Sequence, residues 1–251
     1  MDEIVAVLAK QHAELASLLA AFDERDWERP TRCEGWTTSD VVLHLAQTDE
    51  LARASAEGRY AEAANEHAGE MGPTDSVDDA VELMVRRERG QPGSVVGDRW
   101  NAGAIALRNA LAACDPGARV EWVEGTFSAR TLATTRLAET WIHTGDVAAA
   151  IGVDPELDGR LWHIARLAWR TLPYAFQRAG RELNGPVSFE LRSPTEAPWD
   201  FVPDATPSTT VRGDALELCL VAARRVEPED TALRGEGPDA AAVLELVRTY
   251  A

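Results

Sequence analysis

The chain has 251 residues, of which 45% are hydrophobic and 27% are charged. This length suits one large domain or two smaller ones, and the composition is typical of a globular protein and excludes a disordered or collagen-like chain. The 42 acidic and 25 basic residues give a net charge of −17, which disfavours contact with nucleic-acid phosphates or anionic lipid. We therefore expect a folded protein that binds neither nucleic acid nor membranes.

The cysteines and the first residues indicate the cellular compartment. Cys33, Cys114 and Cys219 are far apart and form no Cys-x-x-Cys pair, which favours a reducing environment. The first residues are acidic where a signal peptide needs basic ones, and no apolar run approaches the roughly 20 residues of a membrane span. We expect a cytoplasmic protein.

Apolar residues recur at helical spacing through the first 180 residues. The pattern predicts a helix over residues 4–22, and a second helix that begins near Thr38 after a glycine turn. A third helix begins at about residue 76 and ends before Pro92. Further helices are predicted over residues 100–113, 129–151 and 161–178. This part of the chain is therefore mainly α.

The pattern changes after Gly180. Short alternating segments over residues 187–191 and 209–212 are typical of strands. They precede a predicted helix over residues 214–223, a strand over 231–234 and a last helix over 238–250. We expect a boundary between residues 179 and 185, with a helical domain over residues 1–180 and a small α+β domain over residues 181–251.

One pair of side chains in the predicted helix over residues 129–151 suggests metal chemistry. Glu139 and His143 are four residues apart, so both project from the same helix face one turn apart. Catalytic zinc typically has three protein ligands and one open position. His44 is the best third candidate, because it lies beside the apolar Val41 and Leu45, where an unpaired imidazole would be costly. On spacing alone, the alternative is a satisfied core or surface histidine.

Four nearby residues each have two interpretations. Trp36 either packs the start of the second helix against the bundle or stacks on a ligand, and the first is favoured. Asp40 either supports a metal ligand or stabilises a helix N-terminus. Asp146 either orients His143 or faces solvent. Cys33 is either a small buried residue or a nucleophile, and the first is favoured.

The other three histidines have no partner at ligand spacing. His12 lies in a polar stretch, His67 in an acidic region that we expect to be exposed, and His163 beside Trp162 in a helix of its own. We interpret all three as structural.

Three segments resemble a known family. Residues 35–45, GWTTSDVVLHL, closely resemble the G-W-T-x-x-D-x-x-x-H-L signature of the mycothiol-dependent maleylpyruvate isomerase family, within the DinB/YfiT-like metal-binding superfamily. Residues 139–147, ETWIHTGDV, are similar to its second signature. Residues 211–220, VRGDALELCL, with the following Arg224 and Arg225, resemble its small C-terminal domain, so the resemblance covers nearly the whole chain.

The resemblance implies a fold and a site. The fold is mainly α, with a DinB-like four-helix bundle and a small C-terminal α+β domain. The bundle would hold a divalent metal, usually zinc, at His44, Glu139 and His143. The C-terminal domain would contribute a basic residue to the cleft. We favour Arg225 as this residue over its neighbour Arg224. Family members use a low-molecular-weight thiol such as mycothiol as the nucleophile.

These features lead to a functional hypothesis. A bound cation lowers the pKa of a coordinated thiol, and a guanidinium fits a carboxylate. We expect a thiol-dependent isomerase or S-transferase that acts on a small electrophilic, acidic substrate. The alternatives are a metal enzyme of the same fold that activates water or assists a step of secondary metabolism, and a metal-binding protein without turnover. Zinc, nickel, iron and manganese can each accept these ligands, and no motif specifies an oligomeric state.

Overall fold

The structure is a computed structural model that describes residues 1–69, 76–123 and 125–249. The chain divides into two compact units, Met1–Pro155 and Glu156–Ala251. In chain order, the elements of the first unit are α1 (Asp2–Ala20), a 3-10 turn (Asp26–Glu28), α2 (Thr38–Ala56), α3 (Tyr60–Ala68), α4 (Val77–Glu88), α5 (Gly93–Ala113), the hairpin strands β1 (Arg119–Trp122) and β2 (Gly125–Ser128), and α6 (Ala129–Ile151).

The first unit is built on a four-helix bundle of α1, α2, α5 and α6. Helix α2 packs against both α5 and α6, and α1 packs against the same two helices. Each helix turns its apolar residues inward, and Leu8, Leu45, Trp100 and Leu137 are completely buried. Burial of these side chains is the main source of stability of such a bundle. The predicted mainly α fold with a four-helix bundle is confirmed.

Local signals fix the ends of α2 and α6. Thr37 accepts a hydrogen bond from the backbone N–H of Asp40, and the Asp40 carboxylate accepts one from the N–H of Thr37, which is a capping box. Ser128 caps α6 by accepting a hydrogen bond from the N–H of Thr131. Helix α6 ends at Gly152, whose φ of +71° is left-handed and suits glycine. These caps set where the side chains of both helices point.

The second unit combines helices with a four-stranded sheet. Its elements are α7 (Arg160–Arg170), α8 (Leu172–Arg178), β3 (Val187–Arg192), β4 (Pro198–Phe201), β5 (Thr209–Asp214), α9 (Ala215–Ala222), a 3-10 turn (Pro228–Asp230), β6 (Arg234–Glu236) and α10 (Ala240–Leu246). The strand order is β4-β3-β5-β6. The central strands β3 and β5 run parallel, and each edge strand is antiparallel to its neighbour.

Several elements differ from the sequence predictions. The helix predicted over residues 161–178 is two helices, because Pro173 lacks the N–H that a continuous helix needs. Helix α5 begins at Gly93, α10 is shorter than predicted, and β6 lies further along the chain than the predicted strand. Helix α3, the β1–β2 hairpin and β4 were not predicted, because their segments show no clear periodicity.

The two units meet in the chain at Pro155, which is earlier than the expected boundary between residues 179 and 185. Helix α7 packs on α9 and β4, and α8 packs on α10. Both helices therefore bury their apolar sides within the second unit. Across the part of the chain that the structure describes, no helix combines the length and the apolar character needed to cross a bilayer.

Candidate metal centre

Helices α2 and α6 bring His44, Glu139 and His143 together. His44 Nε2 lies 3.6 Å from Glu139 Oε2, and His143 Nε2 lies 3.7 Å from the same oxygen. The two imidazole rings meet edge to face with their centroids 5.0 Å apart. Both histidines are buried, and the Glu139 side chain is 19% exposed. The three side chains thus converge from the bundle interior on one point that solvent can reach.

This donor set fits a divalent metal. One ligand atom from each residue lies within 4.8 Å of the others, and ligand atoms of tetrahedral zinc are about 3.3 Å apart. The separations of 3.6 and 3.7 Å are close to that value but too long for hydrogen bonds. The protein therefore holds three ligand atoms near one another at ion-pair distance, without a short hydrogen bond between them.

Asp146 and Cys33 contact the far side of the His143 ring. His143 Nδ1 lies 3.0 Å from Asp146 Oδ2, so a proton on Nδ1 is donated to this carboxylate and Nε2 faces Glu139. The thiol of Cys33 donates to the same oxygen at 3.4 Å. A carboxylate behind an imidazole is the usual support of a metal-ligating histidine. Of the two interpretations of Asp146, the structure therefore favours the one in which it orients His143.

The pKa values in the cluster are strongly shifted. Burial lowers the pKa of His44 to about 4. Burial also acts against ionisation of Glu139, yet the neighbouring histidines and the Arg136 charge lower its pKa to about 2. Burial would lower the pKa of His143, but its hydrogen bonds with Asp146 and Cys33 and the nearby carboxylate charges raise it to about 9. A metal at His143 Nε2 would therefore compete with a proton.

Trp36 and Asp40 have structural contacts. The Trp36 ring packs at 5.3 Å from His44, and its Nε1 donates to Glu82 Oε2 at 2.5 Å. Asp40 caps α2 and also accepts a hydrogen bond from Arg89 Nε at 2.8 Å. Trp36 therefore covers one side of His44, and Asp40 stabilises the start of the helix that carries it.

A second buried polar cluster, which the sequence analysis missed, lies one turn from the candidate ligands. Arg136 on α6 donates from Nε to Asp49 Oδ1 and from Nη2 to Thr48 Oγ1, both at 2.9 Å. Arg108 Nη1 lies 2.6 Å from His12 Nδ1. His12 Nε2 lies 4.0 Å from Asp49 Oδ2. We call these five residues the Arg136 network.

The Arg136 network includes at least one residue from each helix of the bundle, and most of it is shielded from solvent. Arg136, Asp49 and His12 are at most 3% exposed. Burial lowers the pKa of His12 to about 3, helped by the charges of Arg108 and Arg136, so this histidine is neutral. The only sequence signal was the position of Arg136, three residues before Glu139 on the same face of α6.

The other two histidines also make contacts within their units. His67 is partly buried, with its Nε2 3.5 Å from Glu50 Oε2, so the expectation that it is exposed was wrong. His163 packs edge to face on Trp162.

Arg224 and Arg225 follow α9 in the second unit. Arg225 N donates to the carbonyl of Leu220, and Arg224 N donates to that of Val221, which together form a Schellman turn. Arg224 occupies its left-handed position with φ of +58°. The Arg225 guanidinium donates to the carbonyl of Ala223 at 2.9 Å.

Comparison with known proteins relates this chain to one family. Residues 8–148 match the family described as the mycothiol maleylpyruvate isomerase N-terminal domain. Two relatives from Mycobacterium tuberculosis, the uncharacterized proteins MT0041 (strain CDC 1551 / Oshkosh) and Rv0036c (strain ATCC 25618 / H37Rv), are each 30% identical to the chain over 250 residues. Each match covers 98% of this chain and 95% of the relative.

Two solved structures share the fold. They are the mycothiol-dependent maleylpyruvate isomerase, with 18% identity, and a single-site mutant of that enzyme, with 17% identity. Both superpose with a TM-score of 0.63, and each match covers 95% of both chains. The similarity therefore includes the bundle and the C-terminal unit.

Proposed function

This chain belongs to the mycothiol maleylpyruvate isomerase N-terminal domain family, and we propose that it is a metal-dependent enzyme that uses mycothiol or a related low-molecular-weight thiol. Its reaction is an isomerisation or an S-transfer on a small electrophilic, acidic substrate. The observation that carries this proposal is the convergence of His44, Glu139 and His143, whose ligand atoms lie within 4.8 Å of one another. Three ligands of this kind leave one position for a further ligand.

Each residue of the cluster has a distinct role in the proposal. His44 would offer a neutral imidazole nitrogen, and His143 would offer Nε2 after losing the proton that its raised pKa favours. Glu139 would offer a carboxylate that offsets part of the cation's charge. Asp146 keeps a proton on His143 Nδ1, which turns Nε2 towards the metal. A divalent metal, for which we propose zinc, lowers the pKa of a coordinated thiol, so that a thiolate is available at neutral pH.

An external thiol fits better as the nucleophile than the cysteines of the chain. Burial raises the pKa of Cys219 and that of Cys114, which disfavours their reactive thiolate forms. The Cys33 thiol donates a hydrogen bond to the Asp146 carboxylate, a contact that favours the thiol form. In isomerisation, the external thiolate would form a C–S bond to an activated double bond, the remaining single bond would rotate, and the C–S bond would then break to release the thiolate. In transfer, the adduct would take up a proton and leave as a thioether.

A basic residue of the second unit completes the proposal. We assign the recognition of a substrate carboxylate to Arg225, with Arg224 as the alternative, because a guanidinium binds a carboxylate through two parallel hydrogen bonds. A protein with a net charge of −17 repels an acidic substrate unless a local cation offsets that repulsion. We also propose a cytoplasmic location, which agrees with the three free cysteines.

Metal content is the first test. Elemental mass spectrometry would compare untagged wild type, purified without chelator, with His44→Ala and Glu139→Gln. We expect about one metal per chain in the wild type and its loss from both variants. His67→Ala is the matched control, because it removes an imidazole outside the cluster and should keep the metal. A folded wild type that stays metal-free after incubation with zinc would overturn the proposal.

Turnover then separates the alternatives. Maleylpyruvate, the substrate in the name of the solved relatives, would be the first compound tested, with and without mycothiol. A thiol that is required but not consumed indicates an isomerase, and stoichiometric consumption indicates a transferase. Turnover without thiol would favour a water-activating enzyme. Metal binding without turnover of any electrophile tested would favour a non-catalytic metal-binding protein.

A further inference from the structure

We propose that the Arg136 network positions the three candidate metal ligands, and that Arg136 is its central positioning residue. Arg136 would set the separation between His44 on α2 and the pair Glu139 and His143 on α6. This inference rests on the proposed metal site and adds to it a determinant of metal affinity that lies outside the ligand set.

The first argument is the register of the two helices. Arg136, Glu139 and His143 lie at positions i, i+3 and i+7 of α6, so they form one stripe along that helix. On α2, Thr48 lies one turn beyond His44 on the same face. The contact between Arg136 and Thr48 therefore joins the two helices one turn away from the candidate ligands.

The second argument is a chain of hydrogen bonds that reaches a ligand's backbone. Arg136 Nη2 donates to Thr48 Oγ1 at 2.9 Å, and Thr48 Oγ1 donates to the carbonyl of His44 at 2.8 Å. Arg136 Nε also donates to Asp49 Oδ1 at 2.9 Å. Two donors of one rigid guanidinium thus hold two successive residues of α2. Arg136 is fixed in place because only 1% of it is exposed.

The third argument is that the candidate ligands on α2 and α6 are not joined by a short hydrogen bond. His44 Nε2 and Glu139 Oε2 are 3.6 Å apart, which is beyond hydrogen-bond distance. A metal site needs its ligands within about 0.5 Å of the productive geometry. Some other contact between α2 and α6 must therefore set their separation, and the two buried hydrogen bonds of Arg136 are such a contact.

Helices α1 and α5 contribute contacts to the same part of α2 and α6. Arg108 on α5 contacts His12 on α1 at 2.6 Å, and His12 Nε2 lies 3.5 Å from Thr140 Oγ1, next to Glu139 on α6. His12 Nε2 is also 4.0 Å from Asp49 on α2. Contacts from α1 and α5 therefore also stabilise the separation of α2 and α6.

The test uses a variant in which positioning is lost while the core stays filled. Arg136→Met/Asp49→Leu replaces the buried ion pair by apolar side chains, an exchange that often keeps or raises stability. Thr48→Val removes only the hydroxyl that links Arg136 to the His44 carbonyl. Arg99→Met is the matched control, because Arg99 on α5 binds Glu50 of α2 through two bonds of 2.8 Å and, among the described residues, its hydrogen bonds do not reach α6.

Three measurements follow on the purified full chain. Zinc affinity is obtained by competition with a chromogenic chelator, the visible spectrum of the cobalt-loaded protein reports coordination geometry, and urea unfolding reports stability. We expect the double variant to keep the wild-type unfolding midpoint or exceed it, to bind zinc about 10-fold to 100-fold more weakly, and to have an altered cobalt spectrum. Thr48→Val should also bind zinc more weakly than the wild type, but by a smaller factor than the double variant. Arg99→Met should bind zinc as the wild type does.

Two results would overturn the positioning role. One is a double variant with wild-type zinc affinity and an unchanged cobalt spectrum. The other is tighter zinc binding by Arg136→Met, which would mean that Arg136 acts only through charge repulsion of the cation. If the wild type itself binds no metal, the proposed function fails. The positioning role is then decided by nuclear magnetic resonance, because the His44 and His143 ring signals should shift in the double variant but not in Arg99→Met.

Discussion

Helices α2 and α6 carry two polar clusters one turn apart that differ in how their atoms are paired. In the candidate metal centre, His44 and His143 lie 3.6 and 3.7 Å from Glu139, too far for hydrogen bonds. In the Arg136 network, Arg136 makes two bonds of 2.9 Å, to Asp49 and to Thr48. The residue types are similar, but only the second cluster is held together by its own hydrogen bonds.

The difference separates a binding role from a structural one. Buried polar atoms with long, weak contacts are costly, so a cluster that keeps its ligand atoms close without short hydrogen bonds between them is suited to an external ligand. A cluster whose bonds are made within the protein tightens the bundle instead. One atom departs from this rule, because Asp49 Oδ2 has no hydrogen-bond partner among the described residues.

The largest expected effect is a difference in the free energy of unfolding between variants of the two clusters. Arg136→Ala leaves Asp49 buried without its ion-pair partner and should lower the free energy of unfolding by about 3–5 kcal/mol. His44→Gln removes a candidate metal ligand but only a 3.6 Å contact with Glu139, so it should lower the free energy of unfolding much less. Urea unfolding of the two variants checks this. Equal losses of stability would contradict the distinction between the clusters.

The next effect concerns the contact behind His143. Asp146→Asn removes the negative charge that accepts the bond from His143 Nδ1, and we expect zinc to bind about 10-fold more weakly. Competition with a chelator measures the affinity. Cys33→Ala is the companion variant, because the Cys33 thiol is neutral and its contact with His143 Nδ1, at 4.0 Å, is longer than the 3.0 Å contact of Asp146, so its loss should change the affinity less. An Asp146→Asn protein that binds zinc as the wild type does would show that this carboxylate does not support the ligand.

A third prediction concerns pH and the Arg136 network. Burial and the charges of Arg108 and Arg136 lower the pKa of His12 from 6.5 to about 3 in the folded chain. Between these values the unfolded chain binds a proton that the folded chain does not. Stability should therefore fall as the pH drops from 6.5 towards 3, by up to about 1.4 kcal/mol per pH unit from this residue.

Urea unfolding at pH 7 and pH 5 measures this slope. His12→Gln, which cannot titrate there, should show a smaller loss of stability between the two pH values than the wild type. Identical losses in the two proteins would mean that His12 is not held neutral by the network.

The smallest effect tests a backbone position in the second unit. Arg224 adopts φ of +58°, which is strained for any residue except glycine. Arg224→Gly should raise the free energy of unfolding by about 0.5–1 kcal/mol. The control is Arg225→Gly, since Arg225 is not among the residues with positive φ and gains nothing from the change. Equal shifts in the two unfolding midpoints would argue against strain at Arg224.

Local patterns in the sequence predicted much of the fold. The period of the apolar residues and the caps at Thr37 and Ser128 act within a few residues, so α2 and α6 were predicted near their observed starts. Patterns failed where a segment is short or held by distant partners, as for α3 and β4. The prediction of a single helix over residues 161–178 was wrong because Pro173, in the first turn of α8, interrupts the helical hydrogen bonds.

The candidate site shows the same division. The spacing of Glu139 and His143 depends only on helix geometry, and the signature around His44 is local, so these three residues could be named before the structure. The bond from Cys33 to Asp146 could not, because these residues are 113 positions apart. Nothing in the sequence around Cys33 indicates such a contact.

The sequence by itself determined the four helices of the bundle, the family signatures of the chain and the three candidate metal ligands, because each of these depends on neighbours along the chain. Only the tertiary structure decided the Arg136 network and the place where the two units divide. Arg136 meets Asp49 across 87 residues, and Arg108 meets His12 across 96. Such pairs form only when the apolar faces of all four helices pack together, and no local pattern encodes that packing.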